Sequence, residues 1–455
     1  MLFFLSLIAF VFSILSKAQA VILPFVLILV DMLIFKNALS RKNLLQKIPH
    51  FIISLIFGGL AIYIQKKSGA VQDFEYFSFF TRILFSCYGF VQYLSKLVLP
   101  INLSCFYPYP ETNDKINSNW VYVAPFIILA LASIIYKLKK RDSVWIFGLL
   151  FFVVTIGPVL QLIPVGDAII ADRYTYLPYI GLFIIIAHEF EKLKWRTLVK
   201  NTTICAIAVV LLFLSFNRIL KWKDNITLYT DSLKKYPAPI IYNNLGAAYA
   251  ELGDYKKALP CFTELVKLKS RYPSGYKNRA ITNHKLSNYD AAVADYTEAI
   301  KQDPTNLQNY LSRGDSYKTK NDFTNAIKDF DYVLSKDSNN IDAYYSRGES
   351  LGKSGKMLEA LNDYNIVIRR KPNYAEAYSN RGIVNSILTN YTAAIADFTK
   401  SIELKADGWS TYMNRSIALK STGNYTDALK DALVAQKNGY NVDPLYIEDL
   451  QKMGK

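Results

Sequence analysis

The chain has 455 residues, of which 51% are hydrophobic and 20% charged, so it is neither disordered nor collagen-like. Its net charge of +16 is unevenly distributed, because residues 1–222 carry 21 basic and 10 acidic side chains while the remainder is closer to balance. Apolar residues form long runs before Trp222 and a periodic pattern after it. This change of pattern excludes a single soluble globule.

Seven apolar runs approach the roughly 20 residues that a helix needs to cross a bilayer. An eighth run, 80–99, is interrupted by Arg82 and Lys96 and is expected to be a re-entrant or interfacial helix. Residues 1–221 are therefore predicted to form a polytopic transmembrane helix bundle. The first run begins as if in mid-helix, so we expect the chain to be the later part of a longer protein. The seven predicted spans are 2–16, 18–35, 50–64, 120–136, 143–162, 174–189 and 202–220.

The orientation of the bundle follows from the basic residues between its spans, because Lys and Arg favour the cytoplasmic side. Three links, 36–49, 137–142 and 190–201, are rich in these residues, and they include Lys36, Lys139, Lys140 and Arg141. By contrast, 100–119 and 163–173 carry few. With the run at 80–99 not crossing, this pattern predicts that the C-terminal half lies outside the cytoplasm.

The C-terminal half contains six 34-residue units over residues 239–442. Position 4 is always Tyr, position 8 always small, position 20 always Ala, and position 24 is aromatic in the first five units. This pattern resembles the tetratricopeptide repeat (TPR), a helix pair that stacks on its neighbours into an α-solenoid. The predicted fold class is therefore all-α, a transmembrane bundle followed by a TPR solenoid. Residues 222–238 are predicted to be a connecting half-repeat and 443–455 a capping helix.

Two charged positions in the repeats change together. In units 2–6 position 7 is Arg and position 23 is Asp, whereas the first unit has Leu245 and Cys261 there. This pairing predicts a partly buried ion pair between the two helices of each unit; the alternative is that the arginines bind a ligand. The five pairs are Arg279 and Asp295, Arg313 and Asp329, Arg347 and Asp363, Arg381 and Asp397, and Arg415 and Asp431.

Position 6 of each unit carries a short polar side chain. In TPR solenoids this position faces the concave surface, where such groups can hydrogen-bond the backbone of an extended peptide. The alternative is plain solvation. The six peptide-groove candidates are Asn244, Asn278, Ser312, Ser346, Asn380 and Asn414.

Three segments of the predicted transmembrane region are more specific to a protein family than their hydropathy alone: SKAQAVILPFVLILVD (16–31), LPINLSCFYPYP (99–110) and ADRYTYLPYIG (171–181). With the TPR array, they resemble bacterial TPR-bearing polytopic proteins and the transmembrane and TPR-containing O-mannosyltransferases. These are glycosyltransferases of the GT-C class. The resemblance implies an integral protein of the bacterial inner membrane with an extracytoplasmic TPR domain.

The same resemblance implies transfer of a sugar from a polyprenyl-phosphate donor to a protein hydroxyl. The family's catalytic carboxylate is expected in a large external loop after the first span, and none of these strings matches that loop. The resemblance therefore implies no catalytic residue here but does imply donor-phosphate candidates. These candidates are Lys17, Asp172, Arg173, Tyr174 and Tyr176. The alternative is that Lys17 only extends its ammonium to the membrane surface, that Asp172 and Arg173 form a loop ion pair, and that the two tyrosines belong to an interfacial aromatic belt.

Two classes of function therefore stay open. One is a membrane-anchored scaffold that presents a peptide-binding groove to extracytoplasmic proteins; the other is an active protein O-glycosyltransferase. The four cysteines form no Cys-x-x-Cys pair and the three histidines are scattered, so we expect no metal site and no cofactor apart from the sugar donor. Nucleic acid is not an expected partner, because the basic excess flanks apolar runs and no phosphate-binding loop motif is present.

Overall fold

The computed structural model describes residues 2–34, 40–67, 77–109, 111–112, 115–116, 118–138, 142–163, 168–268, 274–404 and 408–454. Within these ranges the regular structure is helical apart from a few very short strands, and the sequence predicts the helices. It divides into two compact units, Met1–Leu245 and Gly246–Lys455. Four basic residues used to predict the membrane orientation, Lys36, Lys139, Lys140 and Arg141, lie outside the described residues.

Among the described residues of the first unit, three segments are long and apolar enough to cross a membrane: Arg41–Ile64, Trp120–Lys137 and Thr197–Trp222. They overlap three of the seven predicted spans, and the remaining spans stay predictions. The helices of this unit are α1 Leu2–Ser16, α2 Leu23–Ile34, α3 Arg41–Leu45, α4 Ile48–Lys67, α5 Phe79–Val98, α6 Trp120–Leu138, α7 Ser143–Ile156, α8 Pro178–Lys192, α9 Thr197–Ile219 and α10 Asn225–Lys235.

The helix α5, which covers the interrupted run, supplies much of the core of the first unit. Its Phe85 and Tyr93 are almost fully buried, and they belong to one cluster with Phe152 of α7 and Leu182 of α8. The arginine that interrupts the run, Arg82, directs Nη1 to the carbonyl oxygen of Leu162 at 3.3 Å. That α5 is a re-entrant or interfacial helix, and does not cross the membrane, stays a prediction.

Short strands bring two distant loops of the first unit together. Strand β1 (Tyr107–Pro108) pairs antiparallel with β4 (Ala168–Ile170), and Tyr107 lies opposite Ile170. The other two, β2 (Glu111–Thr112) and β3 (Lys115–Ile116), pair with each other. Sequence periodicity did not predict these strands, because two or three residues are too few to show an alternating pattern.

The second unit is a stack of helix pairs, with α11 containing the point where the two units divide. In each repeat the first helix is called helix A and the second helix B. The helices are α11 Pro239–Glu251, α12 Tyr255–Lys267, α13 Ser274–Lys285, α14 Tyr289–Gln302, α15 Leu307–Thr319, α16 Phe323–Lys336, α17 Ile341–Lys353, α18 Met357–Arg370, α19 Ala375–Ile387, α20 Tyr391–Glu403, α21 Trp409–Ser421, α22 Tyr425–Lys437 and α23 Pro444–Met453.

Position 8 is small because the aromatic ring at position 24 of the same repeat packs against it. In four repeats position 8 is glycine, and a Cβ there would lie 2.7–3.0 Å from a ring carbon at position 24. A small residue at position 8 thus lets the two helices of a pair approach closely, and the ring at position 24 packs within its own helix pair. The four glycine–ring pairs are Gly246 and Phe262, Gly314 and Phe330, Gly348 and Tyr364, and Gly382 and Phe398.

The predicted ion pairs are confirmed in units 2–6. In repeat 4, for example, Nε and Nη2 of Arg347 donate to the two oxygens of Asp363 at 2.8 and 2.7 Å. The same arginine also donates through Nη1 to Asp331, at position 25 of the preceding repeat, at 2.5 Å. Equivalent bonds to position 25 are made by Arg313, Arg381 and Arg415 to Thr297, Asn365 and Thr399. Each of these arginines therefore joins its own helix pair to the preceding repeat, which favours the structural interpretation of this position.

Candidate functional sites

A polar cluster forms where the loop after α5 meets the turn before α8. Asp172 begins a 3-10 turn, Asp172–Thr175, directly after β4. The hydroxyl of Tyr107 in β1 donates to the Asp172 carboxylate, with distances of 2.8 and 3.0 Å to its two oxygens. The same hydroxyl accepts the Ser104 backbone N–H at 2.8 Å. The β1–β4 pairing thus fixes a buried tyrosine against a partly buried carboxylate.

Three cations from other elements surround this pair. The ammonium of Lys96, at the end of α5, lies 4.4 Å from the Tyr107 ring centroid. Arg218 of α9 and Lys235 of α10 both bond Asp231, at 3.0 and 2.6 Å. The Nη2 atom of Arg218 is buried and has no hydrogen-bond partner among the described residues. A buried guanidinium N–H without an acceptor is costly, so this group can accommodate a further oxygen ligand.

The charges of the cluster do not cancel. Burial raises the pKa of Asp172, and the hydrogen bond from Tyr107 together with the charges of Lys96, Arg218 and Lys235 opposes that rise. Three cations face two carboxylates, Asp172 and Asp231, which leaves one positive charge in excess. Lys and Arg are the side chains that bind phosphate oxygens best. The arrangement can therefore hold a phosphate-like anion, and we call it the Asp172 cluster.

The structure gathers only part of the predicted donor-phosphate set into this cluster. Asp172 lies inside it, whereas Arg173 is exposed, with its guanidinium 5.1 Å from the Tyr174 ring centroid. Tyr174 packs against the core of the first unit, and Tyr176 is 81% exposed. Lys17 is exposed between α1 and the following 3-10 turn.

Sequence reasoning missed the other five members of the cluster: Lys96, Tyr107, Arg218, Asp231 and Lys235. Two of them carried a signal, because Lys96 interrupts an apolar run and Tyr107 belongs to the string at 99–110. Arg218 lies near the end of α9 and Lys235 at the end of α10, each close to other basic residues, and nothing local distinguishes them or Asp231.

Three metal-ligand side chains approach one another at the start of α7 and the end of α8, although the sequence predicts no metal site. Asp142, His188 and Glu189 offer ligand atoms within 4.8 Å of one another. The ammonium of Lys192 donates to Asp142 at 2.9 Å and to Glu189 at 3.2 Å. A resident ammonium satisfies both carboxylates and repels a metal cation, so this group acts as a charge network between two helices.

In the solenoid, the A helices of successive repeats are linked directly by their side chains. Lys318 of α15 (position 12) donates to Glu349 of α17 (position 9) at 2.8 Å, and Ser346 of α17 (position 6) donates to Asp315 of α15 (position 9) at 3.2 Å. Positions 6, 9 and 12 of helix A therefore share one face, which we call the inner face.

The peptide-groove candidates at position 6 differ in their surroundings. Ser346 is nearly buried and donates to Asp315 at 3.2 Å, and Asn380 is engaged with Tyr345. Asn244 belongs to the first unit, where its amide oxygen accepts Nδ2 of Asn243 at 3.3 Å. The remaining three candidates, Asn278, Ser312 and Asn414, are half-buried on helix A.

Two protein families described as tetratricopeptide repeat match the solenoid. One covers residues 238–303, and the other covers 279–341 and 345–408. The C-terminal half is thus a TPR domain.

The curated relatives are O-mannosyl-transferases of low identity. Protein O-mannosyl-transferase F38B6.6 of Caenorhabditis elegans is 25% identical over 272 residues, covering 58% of this chain and 38% of the relative. Protein O-mannosyl-transferase TMTC3 of Homo sapiens is 30% identical over 106 residues, covering 22% of this chain and 11% of the relative. The chain therefore spans well under half the length of these relatives.

Among solved structures, the similarity lies with TPR proteins. One is a tetratricopeptide repeat protein from Parabacteroides merdae, with 21% identity and a TM-score of 0.40, covering 53% of this chain and 96% of that one. Another is YrrB, described as a TPR protein with an unusual peptide-binding site, with 18% identity and a TM-score of 0.36, covering 40% of this chain and 95% of that one.

Proposed function

We propose that this protein is a membrane-anchored scaffold whose TPR solenoid captures extended segments of other proteins outside the cytoplasm. The observation that carries the proposal is the short polar side chain at position 6 of helix A in all six repeats. Side-chain amides and hydroxyls on one face can bond a peptide backbone whatever its side chains are. The apolar helices of the first unit and the basic links between them support an anchor in the inner membrane of a bacterium, with the solenoid on the outer side.

Peptide capture can be tested with the purified full chain in detergent and an array of unstructured peptides. Asn278→Ala combined with Asn380→Ala removes two amides, and each lost hydrogen bond is worth about 1 kcal/mol. We expect affinity to fall by about thirtyfold for all bound peptides alike. The control, Asn339→Ala with Asn362→Ala, changes exposed residues in a turn and on helix B, and should leave binding unaltered. Equal binding by both double variants would exclude the inner face as the docking surface.

As a second candidate, we propose that the first unit binds a polyprenyl-phosphate sugar and serves a protein O-glycosyltransferase of the GT-C, mannosyltransferase-like type. The specific observation is the Asp172 cluster, with its excess positive charge and the unpartnered Nη2 of Arg218. Similarity to O-mannosyl-transferases supports the choice of ligand. Arg173 would lie at the rim of this site.

The donor site can be tested with the full chain in nanodiscs and a radiolabelled polyprenyl phosphate. Arg218→Gln removes the unpartnered donor and should abolish saturable binding, whereas Arg173→Ala should weaken it to a smaller extent. Arg196→Gln is the matched control, because Arg196 is exposed at the start of the same helix. Unchanged binding by Arg218→Gln would rule out the cluster as the phosphate site.

A further inference from the structure

The inner face of the solenoid changes character along its length. At position 9 of helix A, repeats 3 and 4 carry the acids Asp315 and Glu349, whereas repeats 5 and 6 carry Ile383 and Ile417. Position 9 lies one turn after position 6, on the same side of the helix. A peptide held by position 6 would therefore pass an acidic segment and then an aliphatic one.

The acidic segment is only partly neutralised. Lys318 pairs with Asp315 at 3.2 Å and with Glu349 at 2.8 Å, so one lysine serves two carboxylates. Two further exposed acids, Asp342 and Glu376, occupy the first turns of α17 and α19. Burial raises the pKa of Tyr374, and the charges of Asp342, Glu376 and Glu349 raise it further.

A pair of tyrosine rings lies within this acidic segment. Tyr345 and Tyr374 stack with centroids 4.9 Å apart and an interplanar angle of 27°. The ammonium of Lys371 lies 4.5 Å from the Tyr374 centroid. A lysine of the chain itself thus already contacts this pair in the way that cations bind aromatic faces. Four carboxylates against Lys318 and Lys371 leave a net charge of −2, which is complementary to a basic side chain.

The aliphatic segment exposes three isoleucines. Ile383 and Ile387 lie one turn apart on α19 and are 38% and 55% exposed, and Ile417 on α21 is 47% exposed. Exposed isoleucines grouped on one concave surface favour burial against another apolar group. Beside them, the Ser386 hydroxyl is buried without a partner among the described residues, and a peptide backbone could supply one.

We propose that the inner face of repeats 3–6 selects extended peptides in which a basic side chain is followed by aliphatic ones. This inference rests on the proposed peptide-capturing function. Neighbouring helices lie about 10 Å apart and an extended chain rises about 3.3 Å per residue, so each repeat spans about three residues. The basic residue should therefore stand about three residues from one aliphatic residue and about six from the next. Ile281 of repeat 2 flanks the other end of the acidic segment, so both peptide directions need testing.

The probe is a fluorescent serine-rich peptide carrying one lysine and two leucines at this spacing, together with its reversed sequence, titrated by the full chain in detergent. We expect one direction to bind at least tenfold more tightly than versions with glutamate for lysine or serine for both leucines. Asp342→Asn with Glu376→Gln should remove the preference for lysine, and Ile387→Ser with Ile417→Ser the preference for leucine. The matched controls change exposed residues of the B helices, Glu359→Gln with Glu403→Gln and Leu358→Ser with Leu433→Ser, and should preserve both preferences.

The outcomes separate this inference from the function on which it rests. If all peptides bind equally and the Asn278→Ala, Asn380→Ala chain binds them about thirtyfold more weakly, peptide capture stands and the selectivity is refuted. If no peptide binds, both fail. If lysine is preferred but the Asp342→Asn, Glu376→Gln chain keeps that preference, the acidic segment of repeats 3–5 is not the recognition surface.

Discussion

The arginine at position 7 shows how one side chain stabilises three helices. In repeats 3–6 it bonds the aspartate of its own helix B and position 25 of the preceding helix B. In repeats 2 and 5 an asparagine at position 11, Asn283 or Asn385, also donates to that aspartate at 3.0 Å. Such carboxylates are nearly inaccessible to water, so their charge depends on these partners.

Removing the arginine of repeat 4 should destabilise the solenoid locally. Arg347→Met leaves Asp363, which is 1% exposed, buried without its cation, and the expected cost is about 3–5 kcal/mol. Hydrogen exchange of the full chain should show faster exchange in α17 and α18, while Arg369→Met, an exposed arginine of α18, should not change it. Adding Asp363→Leu to Arg347→Met should recover part of the loss. A single variant with unaltered exchange would mean that the pair is not a structural element.

The sequence predicted this pair because the two positions change together in the first repeat, where Leu245 and Cys261 replace them. The position-25 partner was not predicted, because Thr, Asp and Asn vary there and share only an oxygen acceptor. Of the six residues of the Asp172 cluster, the sequence predicted only Asp172 itself. The cations of the cluster come from α5, α9 and α10, and only the folded backbone brings them together.

At the scale of the helices, ring size at position 24 and the absence of a side chain at position 8 determine how closely A and B pack. A Cβ on Gly382 would lie 2.7 Å from Cε1 of Phe398, a ring that is fully buried and has no room to move. A Cβ on Gly352, which lies one helical turn after position 8 in α17, would meet its nearest neighbour at 3.9 Å. These two glycines therefore tolerate a methyl group differently.

We predict opposite effects for the two alanine substitutions. Gly382→Ala should cost about 1–3 kcal/mol because the added carbon overpacks the helix interface. Gly352→Ala should stabilise by up to about 1 kcal/mol, because alanine is the better helix former and the added carbon makes an ordinary contact. Urea unfolding, followed by the fluorescence of Trp409 in a full chain whose four other tryptophans are replaced by phenylalanine, measures both. Stabilisation by Gly382→Ala would show that the ring contact does not limit the packing of the helices.

The helix pairs were predictable because a 34-residue period repeats six times, with the same residue types at the same positions of the units. The first unit has no such repeating pattern. Apolar length there predicts spans, and three of seven coincide with helices of sufficient length and hydropathy. The β1–β4 contact, which positions Tyr107 against Asp172, is made by fewer residues than any sequence pattern requires.

At the scale of the molecule, the two candidate sites lie in different units. The first unit carries the Asp172 cluster next to helices that are apolar enough to span a bilayer, and the second carries the inner face of the TPR domain. Both proposed functions place that inner face outside the cytoplasm. This placement follows from the links rich in Lys and Arg, which favour the cytoplasmic side of the membrane. Membrane orientation is therefore the claim on which the account depends most.

Labelling of single cysteines in intact cells tests this orientation directly. In a chain whose four native cysteines are replaced, Lys194→Cys marks the basic link before α9 and Ser354→Cys marks the solenoid; both positions are exposed. We predict that a membrane-impermeant maleimide labels the cysteine at 354 and not the one at 194, and that permeabilised cells show both. Labelling at 194 with protection at 354 would contradict the account.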